Sequence, residues 1–174
     1  NPAQGWQVDQ RDWAALDPKE RQYQARLMEV YAAMAESMDH EVGRLIAHLN
    51  STGQFENTVF IFLSDNGPEG SDYREADLWL RFNYSRDLDR LGGKGGYAIP
   101  GPSWASASAS PLDTFKFYAG EGGLRSPLII SGVPGMARNH IHAGLTHVTD
   151  IVPTLLELAG LERPGTHFRG QPIE

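Results

Sequence analysis

The chain has no cysteine. Disulfides and thiolate-bound metals are therefore excluded, and any metal must be held by oxygen or nitrogen. No apolar run approaches the ~18 residues of a membrane-spanning helix, and no basic-then-apolar leader opens the sequence. Asn1 is not an initiator methionine, so a leader removed by processing is compatible with this sequence. Basic residues are scarce: 15 Lys and Arg stand against 22 Asp and Glu, a net charge of −7. No lysine/arginine cluster breaks that balance, which argues against nucleic acid and anionic membranes as partners. An anionic substrate would need positive charge supplied locally, because the global field repels it.

What is present suits a domain with a sizeable core: 174 residues, 40% hydrophobic. Residues 1–16 are polar, with Trp6 and Trp13, and read as a lead-in loop. Asp17-Pro18 reads as a helix start, Asp capping and Pro in the first turn. Leu27, Tyr31, Met34, Met38, Val42, Leu45, Ile46 and Leu49 keep a three-to-four spacing, which predicts an amphipathic helix to about Leu49. Gly53 closes it, and a buried strand, Thr58–Leu63, is expected next, so that 17–66 carries helix then strand.

Residues 67–111 read as a long irregular loop. Its Gly92-Gly93-Lys94-Gly95-Gly96 stretch and the Ala/Ser run Ala105–Ser110 promise little core. In 112–174 the expected elements are a strand at Pro127–Ser131, a short strand at Leu145–Val148, and a helix from Thr149 or Asp150 to Leu158, ended by Gly160. Alternating helices and apolar strands imply α/β layers.

The chemistry concentrates at Thr58-Val-Phe-Ile-Phe-Leu-Ser-Asp-Asn-Gly67. An apolar run of this kind fits a parallel strand, and ligands of open α/β sheets sit beyond the carboxyl ends of strands. Asp65 and Asn66 would stand there with a carboxylate and an amide oxygen, hard ligands for Ca²⁺ or Mg²⁺. An Asn-Gly turn capped by Asp65 is the structural alternative. Lys116, in Thr114-Phe-Lys-Phe-Tyr118, is either a point charge for an oxyanion shielded by aromatics or a surface lysine lying over them. Tyr97 and Trp104 could wall an apolar pocket or anchor the long loop. Glu121-Gly-Gly-Leu-Arg125 lacks the Lys-Ser/Thr ending of a phosphate loop and reads as a tight turn with Glu121 and Arg125 paired. His40 and His48 read as solvated. His140 and His142 share a face without an evident third zinc ligand, and His147 either faces the cleft or, as the favoured reading, buttresses Asp150.

Taken in order, Ser64-Asp-Asn-Gly67, Phe115-Lys-Phe-Tyr-Ala-Gly-Glu-Gly-Gly-Leu-Arg-Ser-Pro127 and His147-Val-Thr-Asp-Ile-Val-Pro153 resemble a type I sulfatase. Gly101-Pro-Ser-Trp104 leading to Lys116 is similar to bacterial arylsulfatases, and the resemblance runs from about Met28 to Gly170. It implies an alkaline-phosphatase-like α/β/α sandwich, here a partial domain, and a sulfuric-ester hydrolase with a sulfate ester as partner. It further implies Asp65 and Asn66 on Ca²⁺ or Mg²⁺, Lys116 on the sulfate, and a bacterial periplasmic or cytoplasmic setting. The family's nucleophile is a formylglycine made within Cys/Ser-x-Pro/Ala-x-Arg, and no such sequence occurs here. The chain is therefore expected to be the C-terminal half of a catalytic domain, inactive alone, weak in Ca²⁺ binding and prone to self-association. Two other readings stay open: a phosphodiesterase or phosphonate hydrolase of the same superfamily, and a non-catalytic binding or assembly protein.

Overall fold

The computed structural model describes residues 10–71, 78–162, 165, 167–169 and 171–172. Residues 1–134 and 135–174 form separate compact units. In the first, helix α1 spans Pro18–Ser51. Asp17 caps it as its sequence requires, Oδ1 accepting the Glu20 amide at 2.9 Å, with Pro18 in the first turn. Gly53, at φ 70°, ends it in the left-handed conformation that glycine adopts without a Cβ clash. Leu27 is buried on α1, but the stripe beyond it is open: Tyr31, Met34, Met38, Val42 and Leu45 are 38–66% exposed.

Strand β1 is Phe60–Leu63 and β2 is Leu128–Ser131. The expectation of a parallel strand is corrected here. The two pair antiparallel, Phe60 opposite Ser131 and Leu63 opposite Leu128. A local apolar run sets strand formation but not the direction of a partner so far along the chain.

The segment expected to be irregular contains two helices, α2 at Leu78–Asn83 and α3 at Gly101–Ala109. The Ala/Ser run also supplies core, contrary to expectation: Ala105 and Ala109 are buried, together with Leu91 and Phe115. Small side chains let α3 approach its neighbours closely where larger ones would hold it off. One more turn of helix, α4 at Glu121–Leu124, leads toward β2.

In the second unit, α5 covers Ile151–Leu158 after a 3₁₀ turn at Val148–Asp150, and Gly160 (φ 66°) follows. The strand expected at Leu145–Val148 is absent. His147 is extended (φ −133°, ψ 153°), yet it serves as the cap of the 3₁₀ turn. β3 (His167–Phe168) and β4 (Gln171–Pro172) form a small antiparallel hairpin. The fold among the described residues is thus mixed helix and small two-stranded sheets. No helix among them is long and apolar enough to cross a membrane.

Candidate active site

The turn after β1 is tied down along its length. The Ser64 amide donates to the Pro127 carbonyl at 3.3 Å, and Ser126 Oγ donates to the Ser64 carbonyl at 2.6 Å. The Gly67 amide donates to the Gly123 carbonyl at 3.1 Å, and the Lys116 amide to the Pro68 carbonyl at 3.0 Å. Segments far apart in sequence are thereby joined: the Asp-Asn-Gly turn, the lysine segment and the glycine-rich block.

The glycines at this junction have a packing reason. A Cβ on Gly67 would land on the Gly122 carbonyl, and one on Gly122 would land on the Thr114 carbonyl. Gly122 and Gly123 lie in α4 and let backbones meet, which is a different use from cradling an anion. The expected local pair is present, Arg125 Nη1 to Glu121 Oε2 at 2.7 Å.

A cleft of about 620 Å³ opens beside this junction, with Tyr31, Ser64, Asn66, Glu69, Arg125 and Ser126 in its wall. Asn66 is half-buried there, and Asp65 is exposed on the same turn. Their donor set is one carboxylate and one amide oxygen, the right kind for Ca²⁺ or Mg²⁺ but short of the six or more such ions take. Among the described residues no group of three His, Asp or Glu could complete it.

Lys116 reaches the cleft wall through Glu69, Nζ to Oε2 at 3.0 Å. Its aromatic neighbours are unequal. Phe115 is 3% exposed, whereas Phe117 is 61% exposed, with the ammonium 5.1 Å from its ring centroid. The ammonium thus lies over the exposed ring of the two. Thr114 (φ 64°) and Phe117 (φ 78°) both hold left-handed backbone, uncommon for a β-branched and a bulky residue, so Lys116 sits in a strained turn. Burial works to raise the Glu69 carboxyl, but the Ser71 hydroxyl and amide and the Lys116 ammonium outweigh it and hold its pKa below the ordinary value. Glu69 went unremarked in the sequence, where one glutamate after Asp-Asn-Gly-Pro carries no signal beyond its nearness to the motif.

The remaining candidates lie elsewhere. Trp104 Nε1 donates to the Gln24 carbonyl at 3.1 Å and its rings lie 5.9 Å from those of Trp13, which is the anchoring arrangement. Tyr97 is half-exposed beside Tyr84, their rings 5.4 Å apart. Neither lines the cleft. His40 and His48 are exposed on α1, as expected. His147 meets Asp150 through its main-chain amide (2.8 Å to Oδ2), while its ring faces Thr149.

A sequence profile described as Sulfatase matches residues 3–161, and the chain belongs to the sulfatase family. It is 37% identical over 168 residues to an uncharacterized sulfatase of Schizosaccharomyces pombe, covering 94% of this chain and 30% of that protein. It is likewise 37% identical over 169 residues to an arylsulfatase of Klebsiella aerogenes, covering 94% and 36%. A multifunctional alkaline phosphatase superfamily protein, PehA of Trinickia caryophylli, is 29% identical over 154 residues, covering 87% and 22%. The chain spans about a third of the length of the first two of these relatives.

Proposed function

We propose that this chain forms one side of the active centre of an arylsulfatase-type sulfuric-ester hydrolase, within an alkaline-phosphatase-like α/β/α domain. The observation that carries the reading is the junction itself: an oxygen-bearing turn, a lysine and a cleft meet where distant segments are hydrogen-bonded together. Sulfuryl transfer needs positive charge already in place for the equatorial oxygens, and an otherwise acidic chain offers Lys116 at this point.

In this reading Asp65 and Asn66 hold a Ca²⁺ or Mg²⁺ ion, with further ligands from residues outside this sequence. Such an ion, when bound, supplies Lewis-acid stabilisation of sulfate oxygens. Lys116 holds a sulfate oxygen or the leaving oxygen as a compact charge. The nucleophile is a formylglycine borne by a segment outside these residues, so this chain alone is inactive.

The test is turnover of para-nitrophenyl sulfate and para-nitrophenyl phosphate by the full-length gene product. Lys116→Ala is expected to lower kcat/KM on the sulfate ester by about 10²-fold, the usual cost of one lost oxyanion contact. Sulfate turnover untouched by that change overturns the role of Lys116. The likeness to the multifunctional superfamily protein supports a second reading, phosphate or phosphonate diester hydrolysis on the same site. Preference for the phosphate ester would favour it.

A further inference from the structure

Glu69 stands where a substrate anion would be unwelcome, in the cleft wall and 3.0 Å from the lysine assigned to sulfate. A carboxylate there could act in one of two ways. It could compete with sulfate for the ammonium, or it could fix where the ammonium lies. The surroundings of Glu69 decide between them. Its other oxygen, Oε1, accepts the amide of Ser71 at 2.7 Å, and Ser71 is buried. Gly70, between them, is packed so closely on the Phe115 ring that a Cβ would enter it. Phe115 precedes Lys116, whose own amide is bonded to Pro68. Both partners of the ion pair are thus mounted on one packed unit, from Pro68 to Ser71 on one side and from Phe115 to Lys116 on the other. A competing carboxylate must swing aside when the substrate arrives, and this one is held at its far oxygen.

We propose that Glu69 is a positioning residue for Lys116, its carboxylate anchored by the Ser71 amide and holding the ammonium at the edge of the cleft before sulfate binds. The inference rests on the reading of Lys116 as a sulfate contact. Lysine carries its charge on a flexible stem, and an anchored carboxylate narrows the rotamers the ammonium visits. A preset cation needs little reorganisation when an oxyanion meets it.

The test uses the full-length gene product with isotope-labelled lysine and inorganic sulfate as the probe. The Lys116 methylene signal next to Nζ, identified by its loss in Lys116→Ala, is followed during titration. In the wild type that signal is expected to show a restricted side chain and to shift with sulfate. In Glu69→Gln the restriction is reduced and sulfate binding weakens about threefold, within the range of part-exposed ion pairs, although a repelling negative charge has been removed. Glu69→Asp, which keeps the charge but draws it back, falls between the two and carries the test should the glutamine variant not fold. Sulfate binding in Glu69→Gln that equals or exceeds the wild type overturns the proposal and makes Glu69 a competitor. No response of Lys116 to sulfate in the wild type removes the sulfate reading itself, a different failure from the first.

Discussion

Trp104 donates its indole N–H to the main-chain carbonyl of Gln24, 80 residues away, at 3.1 Å. A half-buried indole with both a hydrogen bond and an aromatic neighbour joins α3 to the first half of α1. Trp104→Ala is expected to destabilise the chain by about 3 kcal/mol. Chemical denaturation measures that loss. In the full-length enzyme KM for an aryl sulfate is expected to stay unchanged. A raised KM with stability intact would instead assign Trp104 to the substrate wall.

Gly67 sits where the Asp-Asn-Gly turn meets α4 backbone to backbone. Gly67→Ala forces the two apart. The expected cost is about 2 kcal/mol, the range of overpacking in tight sites. A denaturation midpoint equal to wild type would mean that the junction is slack.

The Glu69 carboxyl sets a pH dependence. Its folded pKa lies below the ordinary 4.5. A carboxylate depressed by folding contributes stability that is complete above the ordinary value and is lost as pH falls through the folded one. Glu69→Gln should therefore be less stable at neutral pH, by under about 1 kcal/mol because the pair is part-exposed. The difference should close on acidification well below 4.5. Denaturation of both proteins at neutral and acid pH checks the sign.

Much of the frame was legible in the sequence because its signals are local. Asp17-Pro18 and a three-to-four apolar spacing give a helix, and an apolar run before Ser-Asp-Asn-Gly gives a strand end. The antiparallel partner of β1 was not legible, since no local pattern states which distant strand will pair. Helix α3 was obscured by its Ala/Ser composition, although Pro102 in its first turn is a start signal. In the candidate site, Asp65, Asn66 and Lys116 could be proposed from motif and charge. Glu69 could not, because its role comes from tertiary contact with Ser71 and Lys116.

The proposed metal pair, Asp65 and Asn66, is too small a donor set to bind tightly by itself. Calorimetry on this chain is expected to show Ca²⁺ binding weaker than micromolar or none. Sub-micromolar affinity would reveal further ligands within the chain.

The open stripe on α1 from Tyr31 to Leu45 carries its own expectation. Apolar surface of this extent draws copies together or attracts hydrophobic dye. Met34→Glu with Leu45→Glu should lower both light scattering and dye binding without loss of helix, since both positions are exposed. Unchanged scattering would locate association elsewhere.

The bond from Ser126 Oγ to the Ser64 carbonyl closes the chain on itself over 62 residues. The stretch between is also tied back to α1, by Trp104 to the Gln24 carbonyl and by Arg26 to the Leu91 carbonyl. Closure entropy rises only with the logarithm of length, so added residues cost little at an exposed tip outside those ties, such as Gly93 and Lys94. Insertions at that tip are therefore expected to leave the closure beside Asp65 and Asn66 unchanged.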